Sequence, residues 1–117
     1  MKEGNKGKFG LGDRQFAVQS ERNDAVEHVR VLGELDLSVV GQLDSEMRRA
    51  EATDAKSIEL DLDQLEFLDA SGIRLLLDLD RRSRSNGRRL QIRPASSPQV
   101  RRVLELTRVG ELLPIVA

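Results

Sequence analysis

Hydrophobic and polar residues alternate through Phe16, Val18 and Ser20, pause at Arg22-Asn23-Asp24, and alternate again through Val29, Val31, Gly33 and Leu35. Two short runs of period two with a polar turn between them predict a β-hairpin. His28 then falls on the face opposite Val29. Past Leu35 the period changes. Val39, Val40, Leu43, Met47 and Ala50 stand at helical spacing, Ser38 is placed to cap the helix, and Asp44 precedes Arg48 by four residues. This helix fades near Thr53-Asp54. Ile58, Leu60 and Leu62 alternate with Glu59 and Asp61, so Ser57 to Leu62 reads as a central strand.

Leu65, Phe67 and Leu68 lead into Asp69-Ala70-Ser71-Gly72, and a helix begins directly after. Its apolar face, Ile73, Leu75, Leu76, Leu77 and Leu79, is wide enough to predict tight packing against a sheet. Arg74 and Asp78 are spaced i,i+4, as are Asp78 and Arg82, and Asn86-Gly87 predicts the helix end. Leu90-Gln91-Ile92 is a short strand cut off by Pro94. Ser96 or Ser97 with Pro98 reads as a cap followed by the first position of a third helix, marked by Val100, Val103, Leu104 and Thr107 and ending by Gly110. Leu112, Leu113, Ile115 and Val116 close the chain as a short helix or an edge strand.

The order β-β-α-β-α-β-α requires parallel crossovers. The expected fold is α/β: a mixed sheet of four to five strands with three or more helices packed mainly on one face. The uncovered face would carry His28, Arg30, Glu59 and Asp61.

A length of 117 residues suits one small domain. Residues 1–13, rich in Lys and Gly, are expected to be a flexible tail, and residues 14–117 a single domain. The chain has no Cys, which excludes disulfides and sites built on thiolates. A net charge of −1 gives no case for nucleic acid, and no apolar run is long enough to span a membrane, so a cytoplasmic protein is expected. The charge is divided along the chain: residues 1–69 carry 9 basic and 16 acidic side chains, residues 70–117 carry 10 basic and 4 acidic, and all ten of those basic residues are Arg. A surface of two signs can orient a charged partner.

The chemically informative point is Asp69-Ala70-Ser71-Gly72. A serine where a helix starts can cap the free N–H groups, and Gly72 would leave room around it. A phosphate on Ser71 would meet the positive end of the helix and place about two negative charges beside Asp69. The residues alone leave two readings, a plain helix cap or a charge switch. Enzymatic readings are weaker. No nucleophile elbow surrounds Ser71, and the single His has no second His to assist it. The acids Asp36, Asp61, Asp63 and Asp69 fall near strand ends, where a divalent ion could bind, but the ends of small sheets gather acids in any case. There is no Gly-rich phosphate loop of the Walker type.

Three stretches together carry a family resemblance: Gly33-Glu34-Leu35-Asp36; Ile58-Glu59-Leu60-Asp61-Leu62 with Phe67-Leu68-Asp69-Ala70-Ser71-Gly72-Ile73; and Gly87, Leu90, Val103-Leu104, Thr107 and Gly110. The sequence resembles the STAS domain, in particular the anti-sigma factor antagonists of bacterial partner switching, over roughly residues 14–117. The resemblance implies a mixed sheet with helices on one side, no enzymatic activity and no cofactor or metal. It implies that the unphosphorylated protein binds an anti-sigma factor that is also a serine kinase, that this kinase phosphorylates Ser71, and that a PP2C-type phosphatase resets the switch. By the same match Asp36, Asp69, Ala70, Ser71, Gly72, Arg74 and Asp78 form or border the partner surface. It implies no direct contact with nucleic acid or membrane, and a monomer or weak dimer. The alternative within the family is a constitutive interaction module of a stressosome, transporter or lipid-transport assembly.

Overall fold

The structure, a computed structural model, describes residues 16–116; the expected tail of residues 1–13 lies outside them. Strand β1 (Phe16–Asn23) pairs antiparallel with β2 (Val26–Leu35), from Asn23 opposite Val26 to Phe16 opposite Gly33. The connecting turn is Asp24-Ala25, so Arg22 and Asn23, read from sequence as turn residues, belong to the strand. Asp24 takes φ 55, a conformation that aspartate tolerates better than most residues. Helix α1 (Val40–Glu51) returns the chain to β3 (Ser57–Asp61), which runs parallel to the first half of β2.

Beyond Asp61 the structure departs from the sequence reading. Residues Leu65–Leu68 form a further strand, β4, parallel to the second half of β2 with Leu35 opposite Leu68. The reason is length. With ten residues β2 outruns the five of β3, and its remaining backbone groups on that side need partners. A register shift between Gly33 and Glu34, with Gly33 at φ 91, turns β2 from β3 to β4.

Helix α2 (Ala70–Asn86) follows β4 and leads to β5 (Arg89–Arg93), parallel to β3. Helix α3 (Pro98–Leu106) and a 3-10 turn (Val109–Glu111) follow, and Ile115 makes a single parallel bridge to Ile92. The sheet order is β1-β2-β3-β5 with β4 on β2, and the three helices pack on one face. That face buries Val29 and Val31 of β2, Ile58 and Leu60 of β3, and Leu90 and Ile92 of β5. Against them lie Leu43 and Met47 of α1 and Leu75, Leu76 and Leu79 of α2. Each such side chain contributes roughly 1.5–3 kcal/mol of burial.

The other face carries charges, as expected. Across it Glu21, His28, Glu59 and Gln91 stand in one row, and Gln19, Arg30, Asp61 and Arg93 in the next. Polar partners meet across neighbouring strands: His28 Nδ1 is 2.5 Å from Glu59 Oε1, and Arg30 reaches Asp61 at 3.6 Å.

Several local expectations change. Ser38 does not cap α1: the helix starts after Val39, which makes no side-chain cap bond. Ser97 is the N-cap of α3, with Pro98 first in the helix, but its hydroxyl reaches the Glu66 carbonyl instead of the helix. Asp78 pairs with Arg81 at 2.6 Å, and Arg82 crosses to Asp44 (2.9 Å) and Glu51 (3.2 Å) of α1. The expected i,i+4 pairs of Asp78 therefore do not form, whereas Asp44 to Arg48 does, at 3.1 Å. Arg88 donates to the carbonyls of Glu51 and Thr53, closing the C-terminal end of α1 from a neighbouring element.

Candidate functional site

Two parallel strands, β2 and β4, end side by side, and each runs into an Asp-x-Ser turn. After β2, Asp36 Oδ1 accepts from the Ser38 backbone N–H at 3.0 Å and from the Ser38 hydroxyl at 2.6 Å. After β4, Asp69 Oδ1 accepts from the Ser71 N–H at 3.0 Å and from the Ser71 hydroxyl at 2.6 Å. The two turns have the same hydrogen-bond geometry. Their relation to the next helix differs. Asp69 is the N-cap of α2 and also accepts from Gly72 N–H at 3.1 Å, whereas the Asp36 turn stops short of α1.

The cap of α2 is therefore Asp69, and Ser71 lies inside the first turn as its ligand. This corrects the reading of Ser71 as the cap. The two turns are neighbours, and the backbone of Leu37 on the first turn helps to favour the charged form of the Asp69 carboxylate on the second. Burial alone would push this carboxyl up. The Ser71 hydroxyl and the N–H groups of Gly72, Leu37 and Ser71 outweigh it and hold Asp69 below the usual aspartate range.

Gly72 has a different reason from the one expected. A Cβ there would lie 2.5 Å from Leu68 Cδ1, 3.1 Å from Leu35 Cγ and 3.1 Å from the Leu35 carbonyl oxygen. Glycine lets α2 start against the ends of β2 and β4, which holds Ser71 at the rim of the sheet.

Of the other residues singled out by sequence, Ala70 is exposed at the first position of α2 and Ser71 is half-buried. Arg74 is exposed one turn along and makes no hydrogen bond or ion pair among the described residues. Asp78, two turns along, is occupied by Arg81. Asp36 lies across from Asp69. Asp61 and Asp63 do not join them: Asp61 accepts from the Asp63 N–H, and the Asp63 carboxylate takes hydrogen bonds from Ser96 and Gln64. No three ligating side chains gather as a metal site among the described residues.

Sequence reading missed Leu37. This side chain is 76% exposed on the turn between the two aspartates, and Phe67 on β4 is 39% exposed. The legible signal was the second Asp-x-Ser, Asp36-Leu37-Ser38, whose middle residue is apolar where Ala70 is small.

The family model described as "Mlab, STAS domain" matches residues 18–114, which takes in both turns and every strand except the first two residues of β1. The chain belongs to the STAS domain family. A STAS domain is a regulatory module and not an enzyme. Among solved structures, an anti-sigma factor antagonist from Mycobacterium paratuberculosis shares the fold at a TM-score of 0.76, with 24% identity over 86% of this chain and 85% of the other. The antagonist SpoIIAA in its unphosphorylated form gives 0.68, with 25% identity over 86% and 89%. The phosphorylated form of the Bacillus cell fate determinant SpoIIAA gives 0.63, with 26% identity over 86% and 92%. No curated protein sequence matches the chain significantly. Among the described residues, no helix of this STAS domain is long and apolar enough to cross a membrane.

Proposed function

We propose that this STAS domain is an anti-sigma factor antagonist whose partner is an anti-sigma factor with serine kinase activity. The unphosphorylated form binds that partner and releases the sigma factor; phosphorylation of Ser71 breaks the complex, and a PP2C-type phosphatase restores it. The observation that carries this reading is the Ser71 hydroxyl, half-exposed at the start of α2 and 2.6 Å from a carboxylate. The likeness to SpoIIAA, described in an unphosphorylated and a phosphorylated form, supports it.

In the transfer, the γ-phosphoryl group of a nucleoside triphosphate moves to Ser71 Oγ. The bond to the leaving diphosphate breaks, and the hydroxyl proton departs to a base. The modified serine no longer donates to Asp69. It sets a group of about two negative charges against an ionised carboxylate, on the surface that also bears Asp36 and Leu37. A partner that covers this rim meets a changed charge without any change of fold.

A second reading, a constitutive module of a larger assembly, draws on the family model being described by Mlab and not by an antagonist. One experiment separates the two. The protein is captured from its own cells with bound partners, and its phosphosite is read by mass spectrometry. Under the proposal a kinase-fold partner is recovered with the unmodified protein, Ser71→Ala blocks the mass gain with that kinase and ATP, and Ser71→Asp loses the partner. A stable complex indifferent to Ser71→Asp supports the second reading and overturns the first.

A further inference from the structure

A phosphate at Ser71 needs more than the helix end. The N–H groups of Ser71 and Gly72, the donors a helix N-terminus would offer, are both taken by Asp69 Oδ1. The Ile73 N–H is taken by the Asp69 carbonyl at 3.0 Å. The phosphate would also sit beside the Asp69 carboxylate, which those same donors keep ionised. The local field at Ser71 is therefore more hostile to an anion than the sequence suggested, and a cation has to offset it.

Arg74 is placed to do so. It lies three residues after Ser71 on the same helix, where side chains at i and i+3 are neighbours. Helical side chains lean toward the N-terminus, so the long Arg74 side chain can cover the turn that holds Ala70 and Ser71. Among the described residues no acid holds it. The first turn of α2 contains no acid, and Asp78, the acid four residues further on, is held by Arg81. Among the described residues Arg74 has no hydrogen bond or ion pair, although Arg81, Arg82 and Arg84 of the same helix all do. A planar guanidinium matches a phosphate through two parallel N–H donors.

We propose that Arg74 is the internal partner of phosphorylated Ser71, folding back over the first turn of α2 to clamp the phosphate. Phosphorylation then does two things to the rim: it adds negative charge at Ser71 and withdraws a free cation from the partner surface. This rests on the reading of Ser71 as the phosphorylated residue, and its test does not depend on any kinase.

Phosphoserine is installed at position 71 during translation, and the phosphate is titrated by phosphorus NMR in the otherwise native chain and in the Arg74→Gln and Arg74→Lys variants. Loss of the guanidinium is expected to raise the midpoint of the second ionisation by about half a pH unit, with Lys between the two, and 1 M salt should erase most of the difference. A purely structural role for this exposed side chain would not move the phosphate titration. Coincident titrations in the native and Arg74→Gln chains overturn the clamp, whether or not a kinase modifies Ser71. Failure of every candidate kinase to modify Ser71 would sink the switch and leave the Arg74 measurement standing.

Discussion

Leu35 and Leu68 lie opposite each other on parallel strands, and the aspartate after each accepts a hydrogen bond from the hydroxyl two residues further on. The register of one strand pair thus brings two separate stretches of sequence, Asp36-Leu37-Ser38 and Asp69-Ala70-Ser71, to one rim. A backbone hydrogen bond from the Asp69 N–H to the Leu35 carbonyl, 3.3 Å, joins the two stretches at that rim. The site is a consequence of strand pairing.

Gly72→Ala is expected to destabilise the protein. The added methyl would collide with Leu68 and approach the Leu35 carbonyl, both in buried positions. Overpacking of this kind costs about 1–3 kcal/mol, against up to about 1 kcal/mol gained in helix propensity. A lower urea midpoint with unchanged slope checks it; an unchanged or higher midpoint contradicts the close approach.

Asp69 should make stability pH-dependent. Its carboxyl titrates lower in the folded protein than in the unfolded chain, so its contribution is complete above the ordinary aspartate range, about pH 4, and disappears as pH falls through the lower folded value. Asp69→Ala should cost about 1–2 kcal/mol at pH 7, in the range of lost helix caps, and less in strong acid. Urea melts of both proteins at pH 7 and at pH 2–3 test this through the narrowing gap.

Arg82 clasps α2 to α1 through Asp44 and Glu51. Both acids are at least two-thirds buried; burial pushes the Asp44 carboxyl up, and Arg82 together with Arg48 outweighs that push and leaves it lowered. Arg82→Met keeps the apolar stem and removes the charge. A loss of about 1–2 kcal/mol is expected, smaller at high salt. Equal melting of the variant and the native protein in low salt would show that the clasp contributes nothing.

Leu37→Ala separates stability from recognition. A residue 76% exposed contributes little to folding, so the melting midpoint should stay within about 0.5 kcal/mol of the native value. Partner affinity should fall by about tenfold or more, because an exposed apolar side chain beside Ser71 is suited to be buried by whatever covers the rim. Titration calorimetry with the captured partner measures it; unchanged affinity would place Leu37 outside the interface.

The sequence by itself determined the helices and most of the sheet, because periodicity states which side of an element meets the core. Val29 and Val31, Ile58 and Leu60, and Leu75, Leu76 and Leu79 were legible this way, as was the junction at Ser71. Strand β4 was not, since Leu65, Glu66, Phe67 and Leu68 do not alternate and their pairing answers the excess length of β2. The caps depend on neighbours in the same way: Ser71 is a good capping residue in isolation, but Asp69 accepts more donors than a hydroxyl and takes the position, while Asp36 holds Ser38 in a turn of its own and leaves Val39 as the uncapped start of α1. Only the tertiary structure set Asp36 and Leu37 beside Asp69, gave Gly72 its steric role, and left Arg74 unpaired while Arg82 crossed to α1. These depend on distances between elements far apart in the chain, and pattern along one strand or helix carries no information about its neighbour.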